Sequence, residues 1–401
     1  MMGWVKISTY SLIYAEVATM KCQECNNLIS EDSKFCAFCG TVNQNNAKRD
    51  TFEEQVSSEN SKRTVLNDIA DKINRVAGID TPVELKLREV FSNVFVKHTE
   101  AEAELLFLVG TSHTTPDIEN VVDSWPKPWL FARVFILVAL AYFGFYIGVD
   151  HFHNINLLPG LITIGSFMVP FTILIFFWEM NAPQNISIYK IIKMLLVGGV
   201  LSLIVALFIY DIAGSNSAII IGIVEEAAKV FALLWFLKDR QYKFILNGLL
   251  IGAAIGAGFA AFESAGYAFQ VVINSDLESM YSTIFWRGVL APGGHIVWAA
   301  LSGAALCMVK GDKKFSWSML KDIRFLRIFG IVVALHAMWD MPWPEFGALP
   351  LIQLVLALVS WIIAFAVMNV GLKEISYIKQ QKMQSDAFPL EQSQKVQNFP
   401  A

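Results

Sequence analysis

The amino-acid sequence predicts an all-α polytopic membrane protein of about eight transmembrane helices, with a small cysteine module and a helical cytosolic module ahead of them. Three observations carry this. With 55% hydrophobic and 16% charged residues over 401 positions, the chain is too apolar for a soluble protein of its size. The charge is also segregated: residues 44–125 are mostly polar, whereas from Trp129 onward long apolar runs alternate with short polar breaks. Finally, Glu225 and Glu226 lie side by side in the middle of an apolar stretch, Asn216 to Leu237, that is long enough to cross a bilayer. Each carboxylate would cost roughly 2.5–3.5 kcal/mol facing lipid, so the pair is expected to face a protein-lined cavity and to be functional.

Taken from the N-terminus, residues 1–19 lack the basic start and uninterrupted apolar core of a signal peptide. Met20 reads as the natural start, with 1–19 an upstream extension. Residues 20–41 hold Cys22-x-x-Cys25 and Cys36-x-x-Cys39, two knuckles whose short turns offer four thiolates in the tetrahedral arrangement zinc takes. A structural zinc ribbon is the expectation, since its alternative, a pair of disulfides, conflicts with a cytosolic location. Cys307, alone in a crossing, reads as a small buried hydrophobe. Residues 42–124 divide into a polar linker and a helical module, with Val65, Ile69, Ile73 and Val76 on one face and Leu85, Leu87, Val90 and Phe91 clustering later.

The membrane core is expected over 125–372, followed by a polar cytosolic tail, 373–401. At about 20 apolar residues per crossing, the candidate helices are 129–149, 157–178, 191–213, 216–238, 244–269, 286–309, 325–344 and 347–371. Lys and Arg occupy Asn181–Lys193, Lys238–Lys243, Lys310–Arg327 and the tail. They are missing from Asp150–Asn156, Asp211–Ser215, Ile273–Phe285 and Pro342–Phe346. That alternation places both termini in the cytoplasm. The series Gly248, Gly252 and Gly256 permits close helix approach.

Chemistry concentrates in four consecutive crossings. In Glu225-Glu226-x-x-Lys229, Lys229 lies one turn from both carboxylates, so one glutamate can pair with it while the other serves acid/base work. Phe259-x-x-x-Glu263 sets a further carboxylate among small and aromatic residues. Pro292-Gly-Gly-His295 breaks the apolar run beside an imidazole, and in His336-x-x-x-Asp340 the carboxylate shares a helix face with the imidazole and can fix its tautomer. At 1.5 Å rise per residue, Glu225, Glu263, His295 and His336 fall in the middle or outer half of the membrane, in one pocket opening outward. Such groups can deprotonate water for attack on a peptide carbonyl. Gly-x-Ser-x-Gly, Ser–Lys and His-Glu-x-x-His patterns are missing, which disfavours serine and zincin readings.

In this order the motifs resemble the PrsW family of intramembrane proteases, distantly similar to CAAX-processing and bacteriocin-protection membrane proteases. The resemblance covers about 125–370. It implies a glutamic-type peptide hydrolase with catalytic Glu225, Glu226, Glu263, His295 and His336, supported by Lys229 and Asp340, and leaves the need of the core for a metal open. It also implies the bacterial cytoplasmic membrane and membrane-anchored substrates, anti-sigma factors among them, cut near the outer face. No nucleic-acid partner is expected. Ser264 stands where Asn commonly follows the motif glutamate, and Ala299 where Thr is common after the motif histidine. The competing readings are a membrane sensor or scaffold using the ribbon to bind a partner, and a proton-coupled transporter.

Overall fold

The structure, a computed structural model, describes residues 19–22, 24, 28–30, 86–111, 113–215, 217–238, 240–343 and 349–387. The chain forms two compact units, 1–58 and 59–401. In the first, strands β1 (Thr19–Lys21) and β2 (Leu28–Ser30) pair antiparallel with Met20 opposite Ile29. Cys22 follows β1 and is buried. Cys25, Cys36 and Cys39 lie outside the described residues, as do the predicted helical positions 64–85.

The described part of the second unit opens with the short helices α1 (Leu87–Val90) and α2 (Glu100–Phe107). A capping box explains where α2 starts: Glu102 N–H donates to Thr99 Oγ1, and Thr99 N–H donates to the Glu102 carboxylate. The apolar helices follow: α3 (Leu130–Asp150), α4 (Leu158–Met180), α5 (Ile188–Lys193), α6 (Gly199–Ala213), α7 (Ala218–Leu237), α8 (Ile245–Asn274), α9 (Leu277–Leu290), α10 (His295–Lys310), α11 (Ile323–Trp339) and α12 (Leu351–Ala387). A π turn, Met194–Gly198, joins α5 and α6 into one apolar rod.

Among the described residues, six segments are long and apolar enough to cross a membrane: 130–150, 155–180, 188–213, 245–274, 277–310 and 351–383. The expected crossings at 216–238 and 325–344 are helical but fall outside this set. In α7 the reason is charge, since Glu225, Glu226 and Lys229 sit in its middle; α11 has only 17 residues. The crossing expected at 286–309 is a bent pair. Helix α9 begins at Leu277, inside what reads as the loop Ile273–Phe285, because Asp276 Oδ1 accepts from Ser279 N–H and caps it. Pro292, which has no N–H to donate, and Gly293 then close α9 with a tight turn before α10. The last helix also runs beyond the apolar stretch 347–371, continuing to Ala387.

Helix α8 is the axis of the bundle and is buried along nearly all of its apolar length. Its glycines explain how tightly α10 approaches. A Cβ on Gly248, Gly252 or Gly256 would stand 2.8, 2.7 and 2.9 Å from the Cα of Ala304, Ala300 and Ile296, and nearer still to a carbonyl oxygen of α10. Gly256 meets the carbonyl of His295 itself. The stripe thus sets the distance between the helices that carry Glu263 and His295. Gly252→Val is expected to cost more than the roughly 1–3 kcal/mol of ordinary overpacking, because backbone and not a flexible side chain must move. Loss of the monodisperse peak in detergent size-exclusion chromatography measures it; a normally assembled variant would disprove the contact.

Helix starts are satisfied by neighbours. The Glu179 carboxylate near the end of α4 accepts from the N–H groups of Trp129, Leu130 and Phe131 at 2.8, 2.8 and 2.9 Å, capping α3. Glu374 on α12 accepts from Ile245 N–H at 2.8 Å at the start of α8. Cys307 is fully buried, as its lone position in an apolar run implies.

Candidate active site

Helices α7, α8, α10 and α11 bring every chemistry-bearing residue of the membrane motifs into one cluster. On α7, helical spacing aims Glu226 and Lys229 inward, where both are fully buried. Lys229 Nζ donates to Glu226 Oε1 at 2.6 Å and to His295 Nδ1 at 2.8 Å, and lies 3.9 Å from Glu225 Oε2. Its ammonium also rests 4.3 Å above the Phe259 ring of α8, a favourable seat for a cation.

Each histidine has one carboxylate that fixes its orientation. Glu226 Oε1 faces His336 Nδ1 at 2.7 Å, leaving Nε2 directed at Asp340 Oδ2 (3.3 Å) and Glu225 Oε2 (3.6 Å). Glu263 Oε2 faces His295 Nε2 at 3.1 Å, which turns Nδ1 toward Lys229 and Glu225. Trp298, fully buried on α10, stacks on His336 with centroids 4.6 Å apart and meets His295 edge-on at 5.4 Å. Its Nε1–H donates to Ser360 Oγ on α12, so the ring that touches both imidazoles, which meet each other edge-on at 5.0 Å, is itself pinned.

Four residues join the cluster without standing out in the sequence: Arg287, Tyr210, Trp298 and Ser360. Arg287, on α9, pairs with Glu263, donates from Nε to Ser264 Oγ at 2.8 Å and lies over the Tyr267 ring. A cation one residue inside an expected crossing reads as an interfacial anchor, and only the short helix α9 turns it inward. Tyr210 O–H donates to Glu225 Oε1 at 3.1 Å. Ser264 is therefore an acceptor for Arg287, whereas Ala299 is buried against Gly252 and Gly256 and does not line the cavity beside the cluster.

The cluster opens into a cavity of about 620 Å³ lined by Glu225, Glu263, Arg287, His295, His336 and Asp340, with Tyr210, Trp286 and Trp298 among its walls. Glu226 does not line it. Two buried carboxylate oxygens, Glu225 Oε2 and Glu226 Oε2, accept no hydrogen bond. For Glu225 this has chemical content: Glu225, His295 and His336 each offer one ligand atom, and the three atoms lie within 4.8 Å of one another. Two imidazoles and a carboxylate form a donor set that divalent zinc accepts, with a position left open. Glu226, behind His336, and Glu263, against His295 Nε2 at the cavity wall, stand where such sites place the outer carboxylates that orient their ligands. The residues fit a metal centre in which the ion takes the place of the Lys229 ammonium at His295 Nδ1, the nitrogen to which Lys229 donates in this structure.

Comparison with known families bears directly on this cluster. Residues 187–368 match the family model described as PrsW family intramembrane metalloprotease. The PrsW segment contains α7 to α11 and every residue of the cluster, although it spans less than half of the chain. It supports a peptide hydrolase of the membrane and agrees with the resemblance carried by the four motifs. No curated protein and no solved structure matches the chain.

Proposed function

We propose that the chain is an intramembrane endopeptidase that cleaves membrane-anchored proteins near the outer face of a bacterial cytoplasmic membrane, with both termini cytoplasmic and all eight expected segments crossing. The observation that carries the reading is the convergence of Glu225, Glu263, His295 and His336, from four helices, on one open cavity. Glu225, His295 and His336 would hold a divalent ion, which when bound supplies Lewis-acid activation of water and of the scissile carbonyl. Glu263 faces the cavity, accepts the proton of the attacking water and returns it to the leaving amine. Arg287, beside Glu263, offers its guanidinium to the negative charge that develops on the carbonyl oxygen. Glu226, closed off from the cavity, keeps Lys229 in place and holds His336 by Nδ1. That differs from a role for Glu226 as the base, which requires access to water. Cys22, Cys25, Cys36 and Cys39 are proposed to hold a separate, structural zinc.

Co-expression with tagged single-pass membrane proteins tests the reading. Wild type should release cleaved fragments that Glu263→Gln, at matched membrane abundance, produces at a rate lower by about 10²–10⁴-fold. Equal cleavage by both would remove Glu263 from the chemistry, and no cleavage of any candidate would favour the sensor or scaffold reading.

A further inference from the structure

Away from the catalytic cluster, a second cavity of about 490 Å³ lies between the segment 94–95 and helices α3 and α4. Val94, Phe95, Phe131, Phe135, Ile136 and Ile173 contribute apolar surface, and Arg133 is the charged residue of its lining. No residue lines both this cavity and the catalytic one. Arg133 is exposed and stands on the first turn of α3, within the membrane-spanning stretch 130–150. Its Nη2–H donates to the carbonyl of Val96 at 3.0 Å, which satisfies one donor but supplies no counter-charge. Among the described residues no carboxylate forms an ion pair with it. A guanidinium on the outside of a membrane helix requires an anion, and on that surface the anions are lipid phosphates.

The apolar side of the cavity has the same character. Phe95 is 93% exposed, and Phe135 and Ile136 are exposed on α3, so among the described residues nothing covers the groove, which opens where hydrocarbon would lie. A cation at the end of a span, next to an apolar furrow that runs into it, matches a phosphate joined to an acyl chain. We propose that this groove binds an anionic phospholipid, its phosphate paired with Arg133 and one acyl chain seated against Phe95, Phe135, Ile136 and Ile173. The lipid belongs to the leaflet that holds the N-terminal end of α3. By filling the furrow it adds to what fastens the segment 91–96 to α3, where the Val96 carbonyl meets Arg133 and the Phe91 ring meets Phe131 edge-on.

Native mass spectrometry of the full chain, released from mild detergent in the presence of equal amounts of phosphatidylglycerol and phosphatidylcholine, tests this. Wild type should retain phosphatidylglycerol in preference. Arg133→Gln, which keeps a donor for Val96 but loses the charge, should reduce that preference about fivefold. Ile136→Trp, at an exposed position across the groove, should lower retention of both lipids and leaves the guanidinium in place; it decides the matter if the first variant does not assemble. Equal retention of the two lipids by wild type overturns the proposal, as does a preference that neither substitution alters.

Discussion

Glu225→Gln is expected to abolish binding of a metal in the membrane core and cleavage together, while the protein accumulates normally. The side chain keeps its volume, and the amide can still accept from Tyr210 O–H, the one hydrogen bond that Glu225 makes among the described residues. What is lost is the carboxylate oxygen Oε2, which accepts no hydrogen bond and faces His336 Nε2 at 3.6 Å and His295 Nδ1 at 3.9 Å. Removing an outer carboxylate from a metal site typically costs 10–100-fold in affinity, so loss of a ligand should exceed about a hundredfold. The measurement is metal content per chain by elemental analysis, in a Cys22→Ser, Cys25→Ser background that eliminates any ribbon zinc, beside the rate of substrate cleavage. Retention of stoichiometric metal in Glu225→Gln would exclude Glu225 from the ligand set. Loss of cleavage without any metal in the parent would instead assign Glu225 to acid/base chemistry.

The second large effect is on stability. Lys229→Met should destabilise the core by about 3–5 kcal/mol, the usual cost of removing one member of a buried ion pair. Lys229 and Glu226 are both fully buried, and without the ammonium Glu226 keeps only His336 as a partner, with Oε2 already unsatisfied. Methionine fills the same space above Phe259, so the loss measures charge and not packing. Adding Glu226→Gln should return part of the stability, because it removes the stranded charge. Thermal unfolding in detergent reads both variants. A single mutant as stable as wild type would show that the pair is not sealed from water.

Much of the site is legible in the sequence because charge is costly in a membrane. Glu225, Glu226, Lys229, Glu263 and His336 announce themselves by standing in apolar runs, and helical spacing puts Lys229 one turn from both glutamates. The limits are equally physical. Arg287 sits where an apolar run begins, a place in which cations are ordinary, so its turn toward Glu263 depends on α9, a short helix whose first half, with Glu278, Ser279, Ser282 and Thr283, lies ahead of that run. Ala299 shows the converse: its place after the motif histidine suggests a site position, yet it is buried in the glycine seam between α8 and α10. The difference between the two glutamates of α7 is likewise tertiary. Adjacent residues of one helix point about 100° apart, and only the surrounding helices determine that Glu225 reaches the cavity and Glu226 does not.

The carboxylates that close helix ends bear on the order in which the bundle is made. Glu179 reaches α3 from the next helix in the chain, so that end is finished as soon as α4 has emerged. The start of α8 waits far longer, because Glu374, whose side chain accepts from Ile245 N–H, is synthesised 129 residues later. A nascent chain stopped before α12 therefore contains every catalytic candidate and still leaves the central helix with an unsatisfied end. Completion of the axis of the bundle therefore waits for α12.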